Sequence, residues 1–136
     1  MKIVFCFSNK THQGPTKESV DEYNKRIQKY VPTEIIEAKE LHPQTREGKH
    51  IVLVPEGSTL SSEGFAKLLD RYQLSGTKHI FFYVGGPEGL PKNVLENADM
   101  SLSLSCMVFN HQLVRVMLLE QVYRAFTILR GEPYHK

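Results

Sequence analysis

An α/β fold built on a mostly parallel sheet is what this sequence predicts. Two observations carry it. Five short runs rich in β-branched and aromatic residues recur along the 136 residues, and segments with helical apolar spacing separate them. Strands alternating with helices of this length imply βαβ units, and a parallel sheet of that kind is covered on both faces.

The expected strands are KIVFCF (Lys2 to Phe7), TEIIEA (Thr33 to Ala38), HIVLV (His50 to Val54), HIFFYV (His79 to Val84) and SLSLSCMVF (Ser101 to Phe109). Between the first two, Val20, Tyr23, Ile27 and Tyr30 share one helical stripe, with Pro15-Thr16 as a start signal and Glu18 in the first turn. Ser61-Ser62-Glu63 opens a second helix, in which Phe65, Leu68, Leu69 and Tyr72 make an amphipathic face. Leu90 to Asn97 allows a shorter helix, and His111 to Arg130 a long one.

The last helix carries more apolar surface than one docking face needs. Val114, Leu118, Val122, Ala125 and Leu129 form one face, and Val116, Leu119, Tyr123 and Phe126 extend it around the helix. Gln112, Arg115, Glu120, Arg124 and Thr127 are left on a narrow polar strip. Such a helix must be covered on more than one side. In a chain this small a twofold partner is the expected second cover, with burial inside the monomer as the alternative.

Composition limits the rest. A chain of this length that is 40% hydrophobic makes one domain with one core. The formal charge of +2 permits nucleic-acid binding without arguing for it. Cys6 and Cys106 lie in apolar runs without a C-x-x-C partner, so both are expected to be buried thiols and no metal is expected. No apolar stretch reaches the roughly 18 residues that span a bilayer. KIVFCF is followed by SNK without a cleavable signal pattern, so a cytoplasmic protein is expected, with no membrane partner.

The fourth expected strand stops on Gly85-Gly86-Pro87-Glu88-Gly89. Ligands of parallel sheets bind outside the carboxyl ends of the strands, and glycines there let the backbone approach closely. The spacing is neither G-x-G-x-x-G nor a phosphate loop ending in G-K-[ST], so neither nucleotide fingerprint applies. An ordinary strand-to-helix connection is the competing reading of the glycines alone.

Three segments in order resemble the RlmH family of bacterial methyltransferases, of the SPOUT class. They are VGGPEGL (Val84 to Leu90), SLSLSCMVFNHQLVRVMLLEQVYRA (Ser101 to Ala125) and the terminal RGEPYHK (Arg130 to Lys136). The match runs nearly throughout His79 to Lys136, and LSSEGFA (Leu60 to Ala66) and DEYNKRI (Asp21 to Ile27) also fit. Members methylate N3 of a pseudouridine in large-subunit ribosomal RNA. The sequence departs from the family pattern in two places. Only KELHPQTREGK (Lys39 to Lys49) joins the second and third strands, where a longer insertion is usual, and Asn110 stands where proline is usual.

The resemblance implies a SPOUT-type α/β knot over residues 1–136. Its sheet would have five to six strands with helices on both faces, and its C-terminal segment would thread a loop as a trefoil knot. It implies S-adenosylmethionine as cofactor, held by Leu53, Gly85, Leu104, Ser105, Cys106, Met107, Val108 and Phe109. The glycine turn would then be bare so that its backbone can form a pocket wall. An imide N3–H needs its proton removed or its anion stabilised, and His111, Arg115 and Arg124 are the candidates. His111 reads equally as a cap of the last helix, and Arg115 as a solvated residue or a partner of Glu120. At the terminus Tyr134 is expected to stack on a base, and His135 and Lys136 to contact phosphate, in the partner subunit's site. The partners implied are a second copy and the ribosome. A SPOUT enzyme for another RNA nucleotide, or a ribosome-binding module without turnover, are the alternatives.

Overall fold

A computed structural model describes residues 1–136. The elements in order are β1 (Lys2–Ser8), α1 (Pro15–Ile27), β2 (Thr33–Ala38), β3 (Lys49–Thr59), α2 (Ser62–Leu74), β4 (His79–Val84), α3 (Lys92–Glu96), β5 (Met100–Ser103) and α4 (His111–Leu129). The five strands form one sheet in the order β2-β1-β4-β3-β5, and every pairing is parallel.

Strand side chains alternate between two covered faces, as the period of two requires. On one face Ile3, Phe5, Phe7, Ile51, Ile80, Phe82 and Leu102 meet α1, α2 and α4 in the main core. On the other, Val4, Cys6, Val52, Phe81 and Tyr83 pack under Leu41 and Val94. Helices do lie on both faces, but unequally: the second face has only α3 and the short connection from Lys39 to Gly48.

That connection is held by polar contacts in place of a helix. The Gln44 N–H donates to the Tyr83 hydroxyl at 3.1 Å, and the same hydroxyl lies 2.8 Å from Nδ1 of His50. Arg46 forks onto Glu34 at 3.0 and 3.5 Å. Burial pushes the Tyr83 phenol up to about 12 and keeps its proton, so the hydroxyl is free to donate to His50. Burial also lowers His50, which suits a neutral acceptor ring.

Helix ends follow local chemistry. Ser61 Oγ accepts the Gly64 N–H at 3.0 Å at the start of α2. Asn110 Oδ1 accepts the Gln112 N–H at 2.8 Å at the start of α4. The cap of α4 is therefore Asn110 and not His111, which explains how asparagine serves at that position.

Five expectations need correction. The first helix ends at Ile27, and Tyr30 follows it in a turn whose N–H bonds Ile27 O at 2.8 Å. Tyr30 still belongs to the core, stacked on Phe126 with centroids 5.5 Å apart. β3 runs on to Thr59 because a register shift between Leu53 and Ser58 lets Pro55 to Gly57 pass. The last strand stops at Ser103, well short of Phe109. There Ser103 Oγ donates to Ser105 O at 2.7 Å and Ser105 Oγ accepts the Met107 N–H at 3.0 Å. Such local serine bonds draw the backbone away from the ladder. Cys106, on that loop, is exposed, while Cys6 is buried and its thiol is pushed up to about 12 by burial.

The fifth correction concerns α4. Its second cover comes mostly from the same chain, because it packs against both α1 and α2 as well as the sheet. Gln112, Arg115 and Thr127, expected on the exposed strip, are buried. Among the large apolar residues left exposed are Leu113 on α4, at 54%, and Met107, at 71%, Val108, at 81%, and Phe109 on the loop before it.

Candidate functional site

The carboxyl ends of β3, β4 and β5 open into a cavity of about 660 Å³. The Leu53 to Glu56 stretch, the glycine turn Gly85 to Leu90, the loop Leu104 to Phe109 and the first turn of α4 at His111 and Val114 line it. Of the eight residues expected to hold the cofactor, Leu53, Gly85, Leu104, Ser105, Met107, Val108 and Phe109 are in this lining. Cys106 is not; it lies on the same loop but outside the cavity wall.

The turn owes its shape to its own packing as much as to any ligand. A Cβ on Gly85 would stand 2.7 Å from the Gly89 carbonyl carbon and 3.0 Å from Leu90 N, so any side chain there collides with the returning backbone. The Gly89 N–H closes the turn onto Gly86 O at 3.0 Å. At Gly85 the bare edge makes room for the turn itself, and the turn then presents its backbone to the cavity.

The lining is electrostatically one-sided. Glu56 and Glu88 belong to it, and no Lys or Arg does. Sequence reading missed both carboxylates, although Glu88 sits in the singled-out turn. A cavity with acid groups and apolar walls favours a cationic ligand with an apolar body.

His111 stands at the rim, its ring 6.2 Å from that of His12. Its Nδ1 is buried without a hydrogen-bond partner. Burial, then the charge of Arg115 and His12, lowers its pKa, so the neutral imidazole prevails near neutrality. A neutral imidazole keeps one acceptor nitrogen.

Arg115 is somewhere other than expected. It is fully buried and lines neither the cavity nor the surface. Nη1 donates to Asn9 O at 3.0 Å and Thr11 Oγ1 at 3.1 Å, Nη2 donates to Ser8 O, and Glu37 lies 3.8 Å away. The guanidinium also sits 4.8 Å over the Phe7 ring. It ties down the loop that follows β1, and Gln112 helps by accepting the His12 N–H at 2.9 Å. Asn9 in that loop touches Gly86, within 3.4 Å of where a Cβ would stand. Arg115 is thus linked to the cavity lining through the loop.

Arg124, Tyr134 and His135 come together at a second place. Arg124 bonds Glu120 at 2.9 Å and His135 Nδ1 at 3.0 Å, and lies 4.9 Å over the Tyr134 ring. The Tyr134 hydroxyl donates to Glu120 at 2.8 Å, His135 Nε2 bonds Glu63, and Lys136 is exposed. The terminal segment is folded onto its own α2 and α4. Beside it a smaller cavity of about 310 Å³ opens, bounded by Glu120 and Gln121 and sharing Leu102 to Leu104 with the larger one. Glu120, expected as a partner of Arg115, pairs with Arg124 instead, at the spacing of four that favours such pairs, and Glu63, read only as part of a helix start, bonds His135. No group of three or more His, Cys, Asp or Glu is placed to hold a metal, and no helix is long and apolar enough to cross a membrane.

A family profile described as "Predicted SPOUT methyltransferase" matches residues 1–135. The "Ribosomal RNA large subunit methyltransferase H" of Coprothermobacter proteolyticus is 41% identical over 139 aligned positions, covering both chains completely. The proteins of that name from Clostridium botulinum strain Kyoto and Acetivibrio thermocellus are 45% and 38% identical over 159 positions, again with both chains covered completely. Alignments of 159 positions with a 136-residue chain contain gaps, and the 139-position Coprothermobacter alignment contains few. Among solved structures, a probable methylase family protein from Haemophilus influenzae superposes with a TM-score of 0.60 at 6% identity, over 99% of this chain and 70% of its own, a likeness of fold. With a matching profile over nearly every residue and full-length relatives at this identity, the chain belongs to the SPOUT methyltransferase family, in the branch of the large-subunit methyltransferase H proteins.

Proposed function

We propose that this chain is a methyltransferase that uses S-adenosylmethionine to modify large-subunit ribosomal RNA in the cytoplasm, with N3 of a pseudouridine on the assembled ribosome as its target. The observation that carries the reading is the cavity that gathers Leu53, Gly85 and the Leu104 to Phe109 loop at the carboxyl ends of three strands. Its residues fit the cofactor: Glu56 and Glu88 suit a sulfonium and an ammonium charge, and Leu53, Leu90, Leu102 and Val114 supply apolar walls for an adenine. The volume of about 660 Å³ suits a ligand of that size. When bound, S-adenosylmethionine supplies a sulfonium methyl open to in-line displacement.

The chain's own contribution is position and a proton acceptor. His111 takes the N3 proton of the base and so frees the nitrogen lone pair for bonding to the methyl carbon. Arg115 holds the loop of Ser8 to Thr11 that backs the turn. Arg124 and the terminal Tyr134, His135 and Lys136 hold the RNA. The trefoil knot implied by the resemblance is part of the same proposal, and a chain trace of residues 85–136 in a crystal tests it.

Methyl transfer from labelled S-adenosylmethionine to whole ribosomes, free ribosomal RNA and transfer RNA, followed by nucleoside analysis, tests the function. N3-methylpseudouridine from ribosomes is the expected product. A different labelled nucleoside moves the assignment to another RNA target, and no label in any substrate removes the enzyme. The same assay run against pH tests His111. Protonation silences the acceptor, so transfer should fall on the acid side, with a midpoint below the ordinary histidine value of 6.5 because the folded pKa is lowered. Replacing His111 with Ala should remove that limb along with most of the rate; an unchanged profile would take the proton role away from His111.

The working unit in this reading is a homodimer. Met107, Val108, Phe109 and Leu113 form an exposed apolar group at the cavity mouth, which a second copy would cover. Sedimentation at micromolar concentration should show a dimer, and Met107→Glu with Leu113→Glu should shift it to monomer. A wild-type monomer under those conditions sinks the dimer.

A further inference from the structure

We propose that Glu120 is the positioning residue that holds Arg124 and Tyr134 ready for the RNA, an inference that rests on the reading of the terminal segment as an RNA contact. Glu120 reaches neither the larger cavity nor His111. Instead it stands at the centre of the second cluster. Oε1 accepts from Gln121 Nε2 at 3.0 Å. Oε2 accepts from Arg124 Nη2 at 2.9 Å, from Arg124 Nε at 3.1 Å and from the Tyr134 hydroxyl at 2.8 Å. A carboxylate offers about four lone-pair sites, and these four donors, three of them on Oε2, commit most of its capacity to its own neighbours. Its role is to fix its partners.

What it fixes has a definite use. Arg124 has five N–H groups, of which Nε and one on Nη2 go to Glu120 and one on Nη1 faces His135 Nδ1. One N–H on each terminal nitrogen is left over. Two N–H groups on neighbouring nitrogens of a rigid plane match a phosphate oxygen pair, which is the contact an RNA backbone offers. The Tyr134 ring is held at the same time, edge to face with Tyr123 at 4.7 Å and under the guanidinium at 4.9 Å. His135 ties the end of the chain to Glu63 on α2. Each contact makes the next more probable, because an immobilised Arg124 no longer has rotamers to lose on binding.

The pair is partly buried, with Glu120 at 18% and Arg124 at 24% side-chain exposure. Partly exposed pairs at this helical spacing add little to folding. Loss of Glu120 should therefore be felt in turnover much more than in stability.

Steady-state transfer to ribosomes by wild type, Glu120→Gln, Glu120→Asp and a chain truncated after Glu132 tests the inference. Glu120→Gln keeps the shape and loses the charge. Glu120→Asp keeps the charge and withdraws it by one methylene. Both should lower kcat/KM for ribosomes on the order of 10-fold or more, with unchanged affinity for S-adenosylmethionine by calorimetry. Burial first, and then the bond to Glu120, raise the Tyr134 phenol above its ordinary value. Its ultraviolet titration, identified by difference against Tyr134→Phe, should move back toward that value in Glu120→Gln. A purely packing role would leave that titration in place. If either Glu120 variant is folded and fully active while the truncated chain is not, Glu120 positions nothing. If the truncated chain is fully active, the terminal segment is no RNA contact, and that reading fails first.

Discussion

Replacing Arg115 with Ala is expected to cost the fold on the order of 3–5 kcal/mol, a large share of the stability of a domain this size. The side chain is fully buried, and its loss leaves Ser8 O and Thr11 Oγ1, both on buried residues, and Asn9 O without their donor. Glu37, which accepts the Thr11 N–H at 2.7 Å, loses its neighbouring positive charge as well. Arg115→Lys should fare little better, because one ammonium on a flexible stem cannot reach three acceptors from two nitrogens at once. Urea unfolding followed by circular dichroism measures this. A loss below about 1 kcal/mol, the size of an ordinary surface change, would show that the loop holds itself. Cofactor affinity in whatever folds should also fall, since Asn9 in that loop backs the glycine turn at Gly86.

Truncation after Glu132 is expected to do the opposite, removing activity and sparing the fold. The four residues lost include Tyr134 and His135, which lie with Arg124 and away from the cavity lining. Methyl transfer to ribosomes should drop on the order of 100-fold or more, since misplaced substrate alone has effects of that size. Affinity for S-adenosylmethionine should stay as it is. A truncated chain that transfers methyl at the full rate places the RNA contact elsewhere, and one that loses cofactor affinity makes the terminus part of the pocket.

The contrast between these two arginines shows what kind of information a sequence holds. Arg115 and Arg124 both read as members of one polar strip on the last helix, because helical periodicity reports only a residue's direction from the axis. Arg124 does stand at the surface, paired with Glu120 one turn away, and local spacing is enough to find that pair. Arg115 is buried by the loop after β1, through contacts 104 to 107 residues distant in the chain. No window of 18 residues contains both ends of such a contact.

The same reason separates the remaining results. The sequence by itself determined the alternation of five strands with helices, because burial on sheet and helix faces imposes periods of two and 3.6 that any window displays. The residues expected to hold a cofactor were named from motifs alone, and seven of the eight line one cavity. Only the tertiary structure decided that Cys106 is exposed, that the last strand yields to serine turns after Ser103, and that Glu56 and Glu88 face the same space. Only it decided that α4 finds its second cover in α1 and α2, leaving Met107, Val108 and Leu113 as the exposed apolar group. Each of these depends on which distant segment arrives at a surface, and that is settled when the sheet order β2-β1-β4-β3-β5 brings together strands that the chain keeps apart.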